Sequence, residues 1–140
     1  MSTVPSERHP SISARAASRL RAVVADLRRS PERYNQDAFC ARTRTASGRL
    51  RPLCDSEMCI AGHLVLRYRP SARVNPSGVV FVRGAWTTWP DAAADVLGLS
   101  RYQTANLFAV GRCWPAPFTA DMPTVDQMAE RVEHFIRTGE

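Results

Sequence analysis

From Ile12 to Leu27 the apolar residues fall at three- and four-residue intervals: Ile12, Ala16, Leu20, Val23, Val24 and Leu27. Strand side chains alternate faces at every residue, so only an α-helix gathers these six onto one stripe. A stripe of that width must be buried against other elements, which commits the chain to helical packing. The spacing predicts a helix over 11–29, with Ser11 or Ser13 as its cap and Arg28 and Arg29 where the helix dipole favours cations. Ser30-Pro31-Glu32 ends it and opens a short second helix, because proline fits the first helical position. Tyr34 and Phe39 follow as core anchors.

The C-terminal third carries the same signature. Pro90 opens DAAADVL, and Gly98 stands where a helix C-cap belongs. Ser100 with Gln103, and Thr124 with Gln127, each have the spacing of a capping box. The first predicts a helix through RYQTANLFAV ended by Gly111. The second predicts a last helix with Val125, Met128, Ala129, Val132, Phe135 and Ile136 on one face. Between these two lies a Pro-rich connector that packs down Trp114 and Phe118.

Between the two helical regions, Asp55 or Ser56 caps a predicted helix through MCIAGHLVLRY, turning Met58, Ala61, Leu64, Val65 and Tyr68 inward. The Val-rich, Gly-bounded run GVVFVRG (78–84) reads as a strand, with 41–52 or 70–76 as its partner. Residues 40–53 read as an exposed loop or weak hairpin, and 1–10 as a flexible N-terminal tail. With 140 residues, the expectation is one compact domain over 11–140, mainly α with about five helices and a small β element. No apolar run approaches the ~18 residues that span a membrane. MSTVPSERHPSISARAASRL lacks the apolar centre of a secretory signal, so a cytoplasmic protein with reduced thiols is expected.

All 19 basic residues are arginine, and they are unevenly placed. Residues 1–83 hold 15 arginines against six acids, and 84–140 hold four against seven, so a net +6 divides into +9 and −3. Either the N-terminal half meets an anionic partner, or the two halves pair with each other. Arginine is also the side chain that contacts phosphate in a planar, two-pronged way.

An ordered set of motifs carries a resemblance. Cys54-x4-Cys59-Ile60-Ala61-Gly62-His63 is followed by Leu97-Gly98-Leu99, Leu107-Phe108, Trp114-Pro115 and His134-Phe135-Ile136-Arg137-Thr138-Gly139. Over residues 30–140 this resembles a family of small proteins found in bacteria and their phages, many with Trp in place of His63. The resemblance brings no established activity with it.

Four groups of residues bear on function. Cys40, Cys54, Cys59 and His63 have the donor chemistry of a structural zinc site, in a spacing that matches no standard one, and the alternative is plain core packing. Cys59 in a first helical turn has a thiol favoured as a nucleophile, with His63 or His134 as its base. Arg101, Tyr102, Gln103 and Asn106 would face outward from a helix–turn–helix around Gly98, but the acidic surroundings favour an ordinary helical hairpin. Arg15, Arg19, Arg21, Arg28 and Arg29, with Arg42, Arg44, Arg49 and Arg51, would track phosphates if they shared a face, with Tyr34 or Trp86 offering base stacking. The leading expectation is a non-enzymatic accessory protein that binds an anionic partner, nucleic acid first, without a cofactor. A protein-interaction module facing an acidic surface is the alternative, and a Cys59-dependent hydrolase or transferase the second.

Overall fold

The computed structural model describes residues 12–35, 59–74, 79–109 and 111–140. Five α-helices and three short strands follow in the order α1 (Ala14–Arg29), α2 (Ile60–Tyr68), β1 (Arg73–Val74), β2 (Val80–Val82), β3 (Ala85–Thr87), α3 (Trp89–Leu97), α4 (Arg101–Leu107) and α5 (Val125–Thr138). Single 3-10 turns occupy Pro31–Arg33 and Gly111–Cys113. The chain is mainly α with a small β element, as the periodicities predict.

One cluster of buried side chains draws on all of the helices but α4's outer surface. Ala16, Leu20, Val23 and Leu27 form the buried stripe of α1, with Ile12 and Val24 half-covered at its edges. The stripe meets α2, α3 and α5. Ile60, Ala61, Leu64 and Val65 come from α2, Trp89, Ala93 and Val96 from α3, and Met128, Val132 and Phe135 from α5. Each large apolar side chain withdrawn from water contributes about 1.5–3 kcal/mol, so this shared interior is what fixes the helices.

The helix ends follow local rules. Ser13, Thr88, Ser100 and Thr124 each accept a main-chain N–H with the side chain, and the last two close full capping boxes. Gly98 and Gly139 end α3 and α5 in the left-handed conformation, φ +70° and +73°. Two predicted boundaries move. Cys59 is the N-cap of α2 rather than a first-turn residue, and the helix starts at Ile60. α4 stops at Leu107 instead of running to Gly111, because Phe108 leaves helical geometry and the Trp114 indole N–H donates to the Leu107 carbonyl at 3.2 Å. Trp114 thus fills the core and satisfies an otherwise open helix-end acceptor.

The sheet is antiparallel in the order β1-β2-β3. The expected strand lies at β2, and its partner on one side falls within 70–76 as anticipated. β3, on the other side, completes a hairpin through the two-residue turn Arg83-Gly84, where φ is +52° and +83°. Both turn residues need positive φ in this tight hairpin, and arginine at the first position gives no sequence signal for it. Val80 points into the core and is fully buried, while α3 packs behind β2. No helix among the described residues is long and apolar enough to cross a membrane.

Candidate nucleic-acid interface

Strand alternation that sends Val80 inward sends its neighbour Phe81 outward. Register then places Arg73 opposite Phe81 on one side and Trp86 opposite Phe81 on the other. The outer face of the sheet therefore carries a row of three residues, Arg73–Phe81–Trp86, one from each strand. The two rings lie 5.1 Å apart and tilted by 58°. Trp86 is 55% exposed, Phe81 is half-exposed and lies outside the core cluster, and the exposed Arg73 side chain makes no ion pair or hydrogen bond with the described residues. Arg83 at the hairpin tip adds a second cation; it donates to Asp95 of α3 at 3.0 Å and stays 65% exposed.

Aromatic pairs across strands also stabilise hairpins, by about 0.2–1 kcal/mol. That role needs contact between the rings, but not a tryptophan more than half open to water. What the face offers chemically is a flat π surface flanked by guanidinium groups, which suits stacking on a nucleobase beside contacts to phosphate.

The arginines of α1 do not converge. Arg19 donates to the Val96 carbonyl at 2.7 Å and lies 4.6 Å above the Tyr68 ring, so it closes the C-terminal end of α3 instead of facing solvent. Arg21 binds Glu133 of α5 at 2.7 Å. Arg28 lies 4.0 Å from Asp126, and Arg29 pairs with Asp26, which also holds Arg67. Arg15 is exposed and makes no such contact with the described residues. A helix rotates about 100° per residue, which sets Arg21 and Arg28 on the α5 flank and Arg15 and Arg19 on the opposite one. Arg42, Arg44, Arg49 and Arg51 lie outside the described residues.

The charge segregation is thus partly consumed inside the molecule. Arg21–Glu133, Arg28–Asp126, Arg69–Asp95 and Arg83–Asp95 each join the basic half to the acidic one. Hydrogen bonding from Arg21 holds the Glu133 carboxyl below the ordinary range. Burial pushes Asp95 upward, but its bonds from Arg83 and Arg69 outweigh that and leave it lowered.

The sulfur and imidazole groups are placed separately. Cys59 is buried at the start of α2, and its carbonyl accepts the His63 main-chain N–H at 3.2 Å. The His63 ring is held by the main chain: Nε2 lies 2.6 Å from the Arg33 carbonyl oxygen and so carries the proton. It lines a small cavity of about 180 Å³ with Asp26, Arg33 and Arg67. His134 packs against the Phe118 ring at 5.0 Å, where burial and the cations Arg131 and Arg137 lower its pKa. Among the described residues no three His, Cys, Asp or Glu side chains gather as metal ligands. Cys40 and Cys54 lie outside those residues, as does Phe39. Tyr34 is buried, which removes it as a stacking surface. On α4, Gln103 is buried in its capping box and the Asn106 amide donates to the Glu140 carbonyl oxygen, leaving Arg101 and Tyr102 as its outward side chains.

Of the face described first, sequence reasoning found Trp86 and missed Arg73 and Phe81. Their signal was the alternation of β2, which becomes readable only once β1 and β3 are set beside it. Compared with protein-family models, curated proteins and solved structures, the chain matches none.

Proposed function

We propose that the protein is a non-catalytic binding module for single-stranded nucleic acid, which it contacts through the outer face of its three-stranded sheet. The observation that carries this reading is the cross-strand row of Arg73, Phe81 and exposed Trp86. Burying such a ring in the core would be worth a few kcal/mol, so leaving Trp86 in water costs the isolated protein stability that a stacked base would recover. No acid among the described residues pairs with Arg73, and it lies in the basic half of the chain that first suggested an anionic partner. Single strands suit the face better than duplex, because an unpaired base can leave its own stack and lie on the indole.

The test is a titration of labelled single-stranded and duplex oligonucleotides of about 20 nucleotides, at salt from about 50 to 200 mM. Binding is expected to favour the single strand and to weaken steeply with salt. Arg73→Glu is expected to flatten the log–log slope by about 0.7, one phosphate contact. No binding at the lowest salt would overturn the reading and leave an acidic protein surface as the better partner.

A further inference from the structure

We infer that the groove between α1 and α5 is a self-association surface, occupied by α1 of a second copy of this chain across a twofold axis. The groove encloses about 690 Å³ and has Val24, Ala25 and Ala129 among its lining residues, with Arg28 on its α1 edge and Glu130 on its α5 edge. Ala25 is exposed and small, so a second helix can approach α1 closely at that point.

The charges name the occupant. Arg28 is 57% exposed, and its ion pair is 4.0 Å long to an Asp126 side chain that is itself 90% exposed. Glu130 makes no ion pair or hydrogen bond with the described residues. Arg21, Arg28 and Arg29 line the groove together with Glu130 and Glu133, so a nucleic acid or a uniformly acidic protein laid in it would meet two carboxylates beside the arginines. A second copy carries both signs in the same arrangement. Across a twofold axis every contact occurs twice, so Arg28 of each copy meets Glu130 of the other. The surface is separate from the sheet face, and the inference does not depend on the proposed function.

Sedimentation equilibrium of the full chain tests it, at concentrations up to about 100 μM, where a dimer with a Kd near 10 μM is mostly assembled. The wild type is expected to be a dimer that loosens at high salt. Arg28→Glu and Glu130→Arg, both exposed changes that leave the core untouched, should each raise Kd about tenfold or more. The exchanged pair Arg28→Glu/Glu130→Arg restores opposite charges and should return Kd to within about threefold of wild type. A monomeric wild type overturns the inference. So does a dimer indifferent to both single changes, or one that the exchange fails to rescue while circular dichroism shows every variant folded.

Discussion

Arg131 is the one fully buried cation among the described residues, and replacing it with methionine should leave the protein as stable as before or slightly more so. Its guanidinium sits near the Phe118 and Phe135 rings, 5.7 and 6.0 Å from their centres. One nitrogen, Nη2, donates to the Glu140 carbonyl oxygen at 2.7 Å and reaches the Asn106 carbonyl at 3.5 Å. Nε and Nη1 are buried without partners. Burial accordingly pushes its pKa down to about 10, which disfavours the charged form by about 3 kcal/mol. Methionine keeps most of the apolar stem and removes that penalty, while losing one charge-assisted hydrogen bond worth about 1.5–3 kcal/mol. The two nearly cancel, so Arg131→Met should lie between about 0 and 2 kcal/mol on the stabilising side. Arg131→Ala removes the same charge but also empties the space beside Phe135, and should cost about 2–4 kcal/mol. Urea unfolding of the three proteins measures both differences, with equal m-values as the check that the unfolded states are comparable. If methionine proved as damaging as alanine, the charge itself would be supporting the fold and the reasoning would be wrong.

Two further perturbations address the fold. A Cβ at Gly111 would lie 2.2 Å from Pro123 Cγ and 2.6 Å from the Ala120 carbonyl oxygen, so Gly111→Ala forces backbone apart and should destabilise by about 2 kcal/mol or more in thermal unfolding; an unchanged Tm would show that the 111–123 connector is not held against itself. Acid should weaken the protein in two stages. His134 is kept below its ordinary pKa, first by burial, so stability is full above the unfolded value of 6.5 and falls as pH drops through the folded value. Glu133 and Asp95 are likewise lowered, so their contribution is present above the ordinary carboxylate range and is lost below it. Unfolding midpoints followed from pH 8 to about 3 should show both limbs, with His134→Gln flattening the upper and Glu133→Gln the lower; a variant that leaves its own limb unchanged contradicts the assignment.

The helices were legible because their determinants are local. The stripe on α1, the boxes at Ser100 and Thr124, and the αL glycine at Gly98 each decide their element within a few residues. The missed boundaries depend on distant residues. α4 ends where Trp114 reaches back to Leu107, and no spacing within RYQTANLFAV records that contact. β3 follows a turn at Arg83, a residue that rarely adopts positive φ, and two- and three-residue strands are too short to show a period. The candidate site was half visible for the same reason. Counting arginines revealed the charge asymmetry, but only tertiary structure separates Arg19, tied to Val96, from Arg73, open to solvent. Arg131 shows the converse: a charged residue beside the apolar Val132 on α5, it is wholly buried.

The most direct test of the central claim replaces Trp86, the exposed ring on which a base would stack. Trp86→Thr keeps a strand-forming residue at that position, and circular dichroism can confirm the fold. In fluorescence anisotropy with a labelled single-stranded oligonucleotide at fixed low salt, the loss of one stacked base should weaken binding by about 1–3 kcal/mol, roughly five- to 150-fold. Arg15→Glu, on the far flank of α1, should have a much smaller effect. Wild-type affinity retained by Trp86→Thr would show that the sheet face is not the binding surface.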